Sequence, residues 1–135
     1  MATEVRILAV NPNTSQEVTE AYLREVRRIA PKGVTIDGVT GKFGARIVST
    51  KAENTIAGHA MLDLIAEHGA GYDGVILAIS FDTALRSAQE VLTVPVVGVT
   101  QAALAAAGAQ SADLGVIVFG DSSLPMYQHV IDGYG

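Results

Sequence analysis

Short apolar runs alternate with stretches of helical spacing, and this alternation constrains the fold more than any other feature of the chain. The runs cover residues 5–10, 74–79, 94–99 and 114–119, and a shorter, more edge-like run contains Val34, Ile36 and Val39. Continuous apolar runs of this length are typical of strands that helices cover on both faces. We therefore predict five parallel strands and five helices in a doubly wound α/β fold.

Two capping-box patterns mark where the long helices begin. In residues 14–17 and 50–53 a threonine precedes a glutamate by three positions, which satisfies free N–H groups at a helix start. The second of these helices is predicted to end near Gly69 and to bury one stripe, formed by Ala57, Ala60, Met61, Leu64 and Ile65. Shorter helices are predicted at about 83–92 and 101–109, and the alanine-rich segment 102–107 predicts tight packing.

Composition narrows the class of protein. The chain has 135 residues, about one domain, and 49% of them are hydrophobic, which is enough for a core. A net charge of −5 without a basic stripe argues against nucleic acid as a partner. No apolar run approaches the ~20 residues that cross a bilayer, and we find no signal peptide pattern, so we expect a cytoplasmic protein without a membrane partner.

The residues that follow the predicted strands are polar. In parallel α/β sheets ligands bind beyond the carboxyl ends of the strands, so the positions to inspect are 11–15, 80–82, 100 and 120–123. Asn11, Asn13, Thr14 and Ser15 place two amides and two hydroxyls beside the free N–H groups of a helix start. Neutral donors in this arrangement can bind a carboxylate or phosphate.

Each of these features also has a purely structural explanation. Asn-Pro is a turn former, and Thr14 or Ser15 would serve as a helix cap in any protein. Asp82 can be the cap of the third helix, and Ser80 a spare cap. The three histidines lack metal-ligand spacing, so we assign no metal.

Two other classes with this strand and helix order fit less well. A phosphoacceptor receiver domain needs an acidic pair after the first strand and a lysine after the fifth, where this chain has Asn11 and Gly120. A flavodoxin needs aromatic residues around the flavin ring, and Phe43, Phe81 and Phe119 are the available ones. Flavin binding stays open as an alternative.

Several segments together resemble the aspartate/glutamate/hydantoin racemase family, and most closely its hydantoin and allantoin racemase branch. They span essentially the whole chain and occupy residues 5–15, 43–47, 52–53, 56–60, 81–85, 94–99, 102–103 and 124–127. The resemblance implies a flavodoxin-like lobe and proton exchange at the carbon alpha to a carbonyl, without metal or cofactor. One group removes the proton on one face, another returns it on the opposite face, and hydrogen-bond donors hold the anionic intermediate.

The same resemblance assigns roles to individual residues. Asn11, Asn13, Thr14 and Ser15 match the loop that grips the substrate carboxylate or ring carbonyl, and Phe43 and Arg46 belong to a second matching segment that we expect at the substrate. Family members use a cysteine after the third strand and another in a second, similar lobe. This chain has no cysteine, so Asp82 becomes the best ionisable catalytic candidate, with Ser80 beside it.

The family's two-lobe plan leads to an expectation about domains and assembly. Residues 1–95 correspond to one lobe with the ligand loop, and residues 96–135 to the start of a second, incomplete lobe. Apolar faces left open in this way are often buried by another subunit, so we expect a homodimer or larger homo-oligomer. The leading hypothesis is a racemase acting on a small carboxylate or hydantoin, and the alternative is a non-catalytic remnant or anion-binding domain.

Overall fold

A computed structural model describes residues 4–134 as a four-stranded sheet with helices on both faces. All three strand pairings are parallel, and the strand order is β2-β1-β3-β4. The strands are β1 (Val5–Asn11), β2 (Val34–Thr40), β3 (Gly74–Leu77) and β4 (Val96–Gly98). The predicted α/β class is confirmed, and β2 lies at an edge as expected, although it is as long as β1.

Five α-helices connect and follow the strands, in agreement with the predicted number for the part of the chain between residues 4 and 134. A short 3-10 turn, Asp121–Ser123, precedes the last of them. The helices are α1 (Gln16–Ile29), α2 (Lys51–His68), α3 (Leu85–Val91), α4 (Val99–Gly108) and α5 (Leu124–Asp132). Within residues 4–134 none of the helices is both long and apolar enough to span a membrane.

Alternate residues of β1 belong to two separate hydrophobic clusters. Ala9 packs with Leu23 of α1 and Ile36 of β2. Leu8 and Val10 pack in the larger cluster, which contains Val75 and Leu77 of β3 and every residue of the predicted α2 stripe except Ala60. Successive side chains of a strand point to opposite faces, so the two clusters place helices on both sides of the sheet.

The predicted helix starts differ in how well they match the structure. At α2 both halves of the capping box form: the Glu53 amide donates to Thr50 Oγ1 at 3.2 Å, and the Thr50 amide donates to Glu53 Oε2 at 2.9 Å. The Ser49 amide also donates to Glu53 Oε2, at 2.8 Å, and the hydrogen bonds from the Ser49 and Thr50 amides lower the pKa of the Glu53 carboxyl. At α1 the predicted box is wrong, because Ser15 is the cap and accepts from the Val18 amide at 3.4 Å.

The predicted fifth strand is also wrong. Residues 114–119 lie outside the four-stranded sheet as an extended segment without strand pairing, and Ile117 and Phe119 are 91% and 89% exposed. Apolar content alone does not make a strand, because the backbone groups need a neighbouring strand as partner. The expectation of tight packing for the alanine-rich helix is wrong as well, because α4 has no buried residue.

Candidate active site

The loop after β1 is held mainly by the side chain of Asn11, which is 1% exposed. Its Nδ2 lies 2.9 Å from Asn13 Oδ1, 3.0 Å from Thr19 Oγ1 and 3.2 Å from the Ser15 carbonyl. Its Oδ1 accepts from the Asn13 amide at 3.2 Å. All of these partners are in the loop or the first turns of α1, so Asn11 shapes the loop from inside.

Gly41 closes the loop from the end of β2. Its amide lies 2.8 Å from the Asn11 carbonyl and 2.9 Å from the Asn13 carbonyl. A Cβ at this position would lie 2.3 Å from the Pro12 carbonyl oxygen, closer than any side chain tolerates. The contact therefore requires glycine and fixes the path of residues 11–13.

Asn13 is the loop residue whose side chain reaches a cavity. Its Oδ1 accepts from Asn11 Nδ2 and from the Ser15 amide at 2.9 Å. Its own Nδ2 makes no hydrogen bond to any residue between 4 and 134, which leaves a donor for a ligand. Thr14 and Ser15 stand beside it, but neither lines this cavity, and Ser15 is occupied as the cap of α1.

Ser80 follows β3 and lies on the other side of the same cavity. Its Oγ is 2.7 Å from the Tyr127 hydroxyl of α5, and its carbonyl accepts from Thr100 Oγ1 at 2.6 Å. The Tyr127 ring also packs on Phe81, with 4.7 Å between the ring centroids. Both the hydroxyl and the backbone of Ser80 are thus fixed by elements later in the chain.

The cavity between these residues has a volume of about 280 Å³ and opens beside the carboxyl ends of β1 and β3. This is the point where the strand order reverses direction, the usual ligand position in an open α/β sheet. Within residues 4–134, its lining contains no Asp, Glu, Lys, Arg or His. The polar lining residues are Asn13, Ser49, Ser80, Ser123 and Tyr127, and the others are apolar, including Val18, Ile79 and Phe119.

Asp82 is close to Ser80 in sequence but does not line this cavity. Its carboxylate caps α4: Oδ1 accepts from the Thr100 amide at 3.0 Å, and Oδ2 accepts from the Gln101 amide at 2.7 Å. Oδ2 also accepts from the Tyr134 hydroxyl at 2.6 Å, and burial together with this bond raises the pKa of the Tyr134 phenol. Asp82 is therefore a helix cap, for α4 and not for α3.

Phe43 and Arg46 are not among the residues that line the cavity. The Phe43 ring packs edge-on against His59, with 5.3 Å between centroids. Arg46 pairs with Glu17 at 2.7 Å in an exposed position. Their segment is attached to the loop after β1 by the Thr14 amide, which donates to the Ala45 carbonyl at 3.1 Å. Contact of Phe43 and Arg46 with a ligand stays a prediction.

The residues considered for other ligands are spread over the surface and the cavity. Of the three phenylalanines considered for a flavin, Phe81 and Phe119 line the cavity and Phe43 lies elsewhere. Between residues 4 and 134 no three His, Asp or Glu side chains gather in an arrangement that can hold a metal ion. The polar part of the cavity lining consists of amide and hydroxyl groups.

Tyr127 and Ser49 are cavity residues that sequence reasoning missed. Tyr127 stands in one of the segments that carry the family resemblance, which was a usable signal. Its distance of 47 positions from Ser80 hid the contact, because α5 returns to the sheet only in the folded chain. Ser49 directly precedes the capping box of α2, and nothing in its local pattern distinguishes it.

A parallel sheet in the order 2-1-3-4, with a cavity lined partly by amide and hydroxyl groups at its reversal point, defines the class as a doubly wound α/β domain. Comparison with known sequences gives the family. A sequence profile described as "Asp/Glu/Hydantoin racemase" matches residues 7–135. The chain belongs to the Asp/Glu/hydantoin racemase family.

Individual relatives support the same assignment. The hydantoin racemase of Pseudomonas sp. (strain NS671) is 24% identical over 132 residues, which cover 97% of this chain and 53% of that protein. The hydantoin racemase of Paenarthrobacter aurescens is 26% identical over 102 residues, covering 74% and 43%. The chain spans about half the length of the curated relatives it matches.

Solved structures agree with the fold in detail. The allantoin racemase from Klebsiella pneumoniae superimposes with a TM-score of 0.91 at 29% identity, covering 96% of this chain and 54% of that one. The allantoin racemase from Pseudomonas fluorescens gives the same TM-score at 32% identity, covering 95% and 55%. The predicted resemblance and fold class are confirmed.

Proposed function

We propose that this chain provides the substrate-binding part of a racemase that exchanges the proton at the alpha carbon of a small amino-acid-like or hydantoin-like molecule, without metal or cofactor. The observation that carries the proposal is the 280 Å³ cavity at the reversal point of the sheet, with Asn13 on one side and the Ser80–Tyr127 pair on the other. Family membership supports the same reaction class.

The geometry assigns distinct tasks to the two sides of the cavity. Asn13 Nδ2 is a fixed donor, because Oδ1 of the same amide is bound twice within the loop. It is suited to a substrate carbonyl whose oxygen gains negative charge when the alpha proton leaves. A preorganised neutral donor of this kind stabilises the anionic intermediate without reorganising during the reaction.

The uncharged lining favours one substrate class over the other. A carboxylate buried without a cation loses hydration that neutral donors replace only in part. A hydantoin presents ring carbonyls and N–H groups, which amide and hydroxyl side chains satisfy. We therefore expect hydantoin-like rings to bind better than aspartate or glutamate.

Proton exchange by two bases needs a group on each face of the substrate. Ser80 and Tyr127 are the hydroxyl groups that face each other at the cavity, and we assign them to one face of the substrate. Asp82, the candidate from sequence, is engaged by two amides and a phenol, so both of its carboxylate oxygens already accept hydrogen bonds within the protein. The group for the opposite face is expected from a second lobe or a second subunit.

The test is to incubate the protein with single enantiomers of a 5-substituted hydantoin, allantoin, aspartate and glutamate while following optical rotation. We expect the optical rotation to be lost fastest with a hydantoin-like substrate. In Asn13→Asp the loop acceptor is kept, but the free donor is replaced by a negative charge, so turnover should fall about 100-fold, the scale of one oxyanion-stabilising donor.

Asn54→Asp is the matched control for this substitution. Asn54 Oδ1 also accepts one side-chain hydrogen bond, from Thr83 Oγ1 at 2.6 Å, but the residue does not line the cavity. Turnover of the control should stay near the wild-type level. Equal activity of wild type and Asn13→Asp would remove Asn13 from the site.

A binding domain without catalysis is the second candidate, and one observation favours it. The cavity lining has no ionisable side chain except Tyr127 among residues 4–134, and a two-base exchange needs a group on each face. Calorimetric titration with hydantoins, small carboxylates and phosphate separates the candidates. Binding that Asn13→Asp weakens, without any change in optical rotation, would establish the binding domain.

The two-lobe organisation and the assembly also belong to the proposal. We propose that residues 96–135 begin a second lobe, packed on the first or on another subunit, in a homodimer or larger homo-oligomer. The exposed apolar side chains of residues 114–119 and the lack of buried residues in α4 support this. Light scattering at several protein concentrations would measure the mass, and a monomer throughout would contradict the homo-oligomer.

A further inference from the structure

The Asp82 carboxylate joins three parts of the chain that are far apart in sequence. The residue itself follows β3, its two amide partners, Thr100 and Gln101, are in the first turn of α4, and Tyr134 follows α5. Asp82 is only 6% exposed. A buried carboxylate that accepts three hydrogen bonds is a strong point of attachment between these elements.

The backbone of the same segment is held in an unusual conformation. Asp82 has φ of +47° and Ala84 has φ of +60°, and these are the non-glycine residues with positive φ among residues 4–134. L-residues occupy this region at a cost, so it persists only where the surroundings hold it. Here the surroundings include the three hydrogen bonds on the Asp82 side chain.

The attachment continues to the cavity through Thr100. Its amide donates to Asp82 Oδ1, while its hydroxyl donates to the Ser80 carbonyl at 2.6 Å. One residue at the start of α4 therefore holds both Asp82 and the backbone of Ser80. The position of the Ser80 hydroxyl in the cavity depends on the bond between Asp82 and α4.

We propose that Asp82 and Tyr134 are a positioning pair, which fixes the start of α4 and through Thr100 the place of Ser80, and that Asp82 does not transfer a proton. The inference rests on the proposed function for its kinetic consequences. Its structural content, the coupling of Tyr134 to the amides of α4, can be measured without any turnover.

The decisive variant is Tyr134→Phe, which removes one hydroxyl and keeps the ring. We expect kcat for the best hydantoin substrate to fall about 10-fold, the size of one hydrogen bond to a charged group, with KM nearly unchanged. Amide hydrogen exchange at Thr100 and Gln101 should become about 10-fold faster. Tyr72→Phe is the matched control. The Tyr72 hydroxyl also donates to a carboxylate, Asp37 Oδ2 at 2.9 Å, but this pair does not line the cavity.

Asp82→Asn separates positioning from proton transfer. The amide keeps one acceptor oxygen for α4, so we expect a slowed enzyme with faster exchange at Thr100 and an unchanged pH profile of kcat. Loss of all turnover with normal exchange would show that the carboxylate acts chemically and would overturn the proposal. Unchanged exchange and kinetics in Tyr134→Phe would overturn it as well.

The two proposals can fail separately. A wild-type protein that racemises none of the tested substrates refutes the proposed catalytic function, and the exchange rates of Tyr134→Phe and Tyr72→Phe still decide the positioning pair. Spectrophotometric titration of the phenols gives an independent readout. Burial and the bond to Asp82 raise the pKa of the Tyr134 phenol; this raised pKa should be absent in Tyr134→Phe and move toward the ordinary value of about 10 in Asp82→Asn.

Discussion

The loops after β1 and β3 lie on opposite sides of one cavity but are stabilised in different ways. In the first loop, the side chains of Asn11 and Asn13 bond to residues within eight positions in the chain, and the Gly41 amide adds a more distant backbone contact. In the second, Ser80 and Asp82 bond to residues 18 to 52 positions away. The polar side chains of the first loop are therefore held mostly by neighbours in sequence, whereas those of the second depend on the docking of α4 and α5.

This difference explains which loop is suited to which task. A loop that satisfies most of its own polar groups can hold a donor such as Asn13 Nδ2 in a constant place. A loop held by other elements transmits any movement of α4 or α5 to Ser80. We therefore expect substitutions at the second loop to act at a distance and those at the first to act locally.

The largest effect is expected at Gly98→Ala, in the second loop's contact with α4. A Cβ there would lie 2.3 Å from Asp82 Cγ, so the carboxylate must move away from the helix start. Overpacking and the lost cap together should lower the free energy of unfolding by about 3 kcal/mol, measured by urea denaturation. Gly108→Ala, at the other end of α4, is the control, since no atom beyond its own helix backbone and chain neighbours lies within 4 Å of its added Cβ.

Asn11→Ala tests how strongly side-chain hydrogen bonds stabilise the loop after β1. The buried partners of its amide lose their hydrogen bonds, and the free energy of unfolding should fall by about 2 kcal/mol. Asn54→Ala, which removes an amide with one side-chain bond, should cost about half as much by thermal or urea unfolding. A smaller loss for Asn11→Ala than for Asn54→Ala would mean that water replaces the loop contacts.

Tyr127→Phe tests how far α5 holds the second loop at the cavity. The ring packing on Phe81 is kept while the hydrogen bond to Ser80 is lost, so stability should fall by about 1 kcal/mol. Hydantoin affinity in calorimetry should weaken in the same variant. Tyr22→Phe, on α1, provides the comparison and should leave affinity unchanged.

Arg46→Ala is expected to have the smallest effect. Its ion pair with Glu17 has side chains 69% and 82% exposed, and exposed pairs contribute less than about 1 kcal/mol. Arg24→Ala, which removes another exposed ion pair, is the control for stability. A selective loss of hydantoin affinity in Arg46→Ala would place Arg46 at the substrate, as the family resemblance predicts.

Much of the fold follows from local pattern. The stripe of α2, its capping box and its end at Gly69 were predictable because each depends on residues three or four positions apart. The strand predicted at 114–119 does not form, because an apolar run does not specify which backbone will pair with it. The cap of α1 was misplaced by one residue for a local reason, because Thr14 and Ser15 are both good caps.

The candidate site likewise contains features that depend on residues close in sequence and features that depend on contacts between separate elements. The α/β fold, the polar loop after β1 and the family could be predicted from the chain alone, because they depend on periodicity, residues close in sequence and motifs. The folded chain was needed to see that Asp82 caps α4, that Tyr127 contacts Ser80, and that Phe43 and Arg46 do not line the cavity. Those contacts join residues from separate elements, and their partners are set by how the helices pack on the sheet.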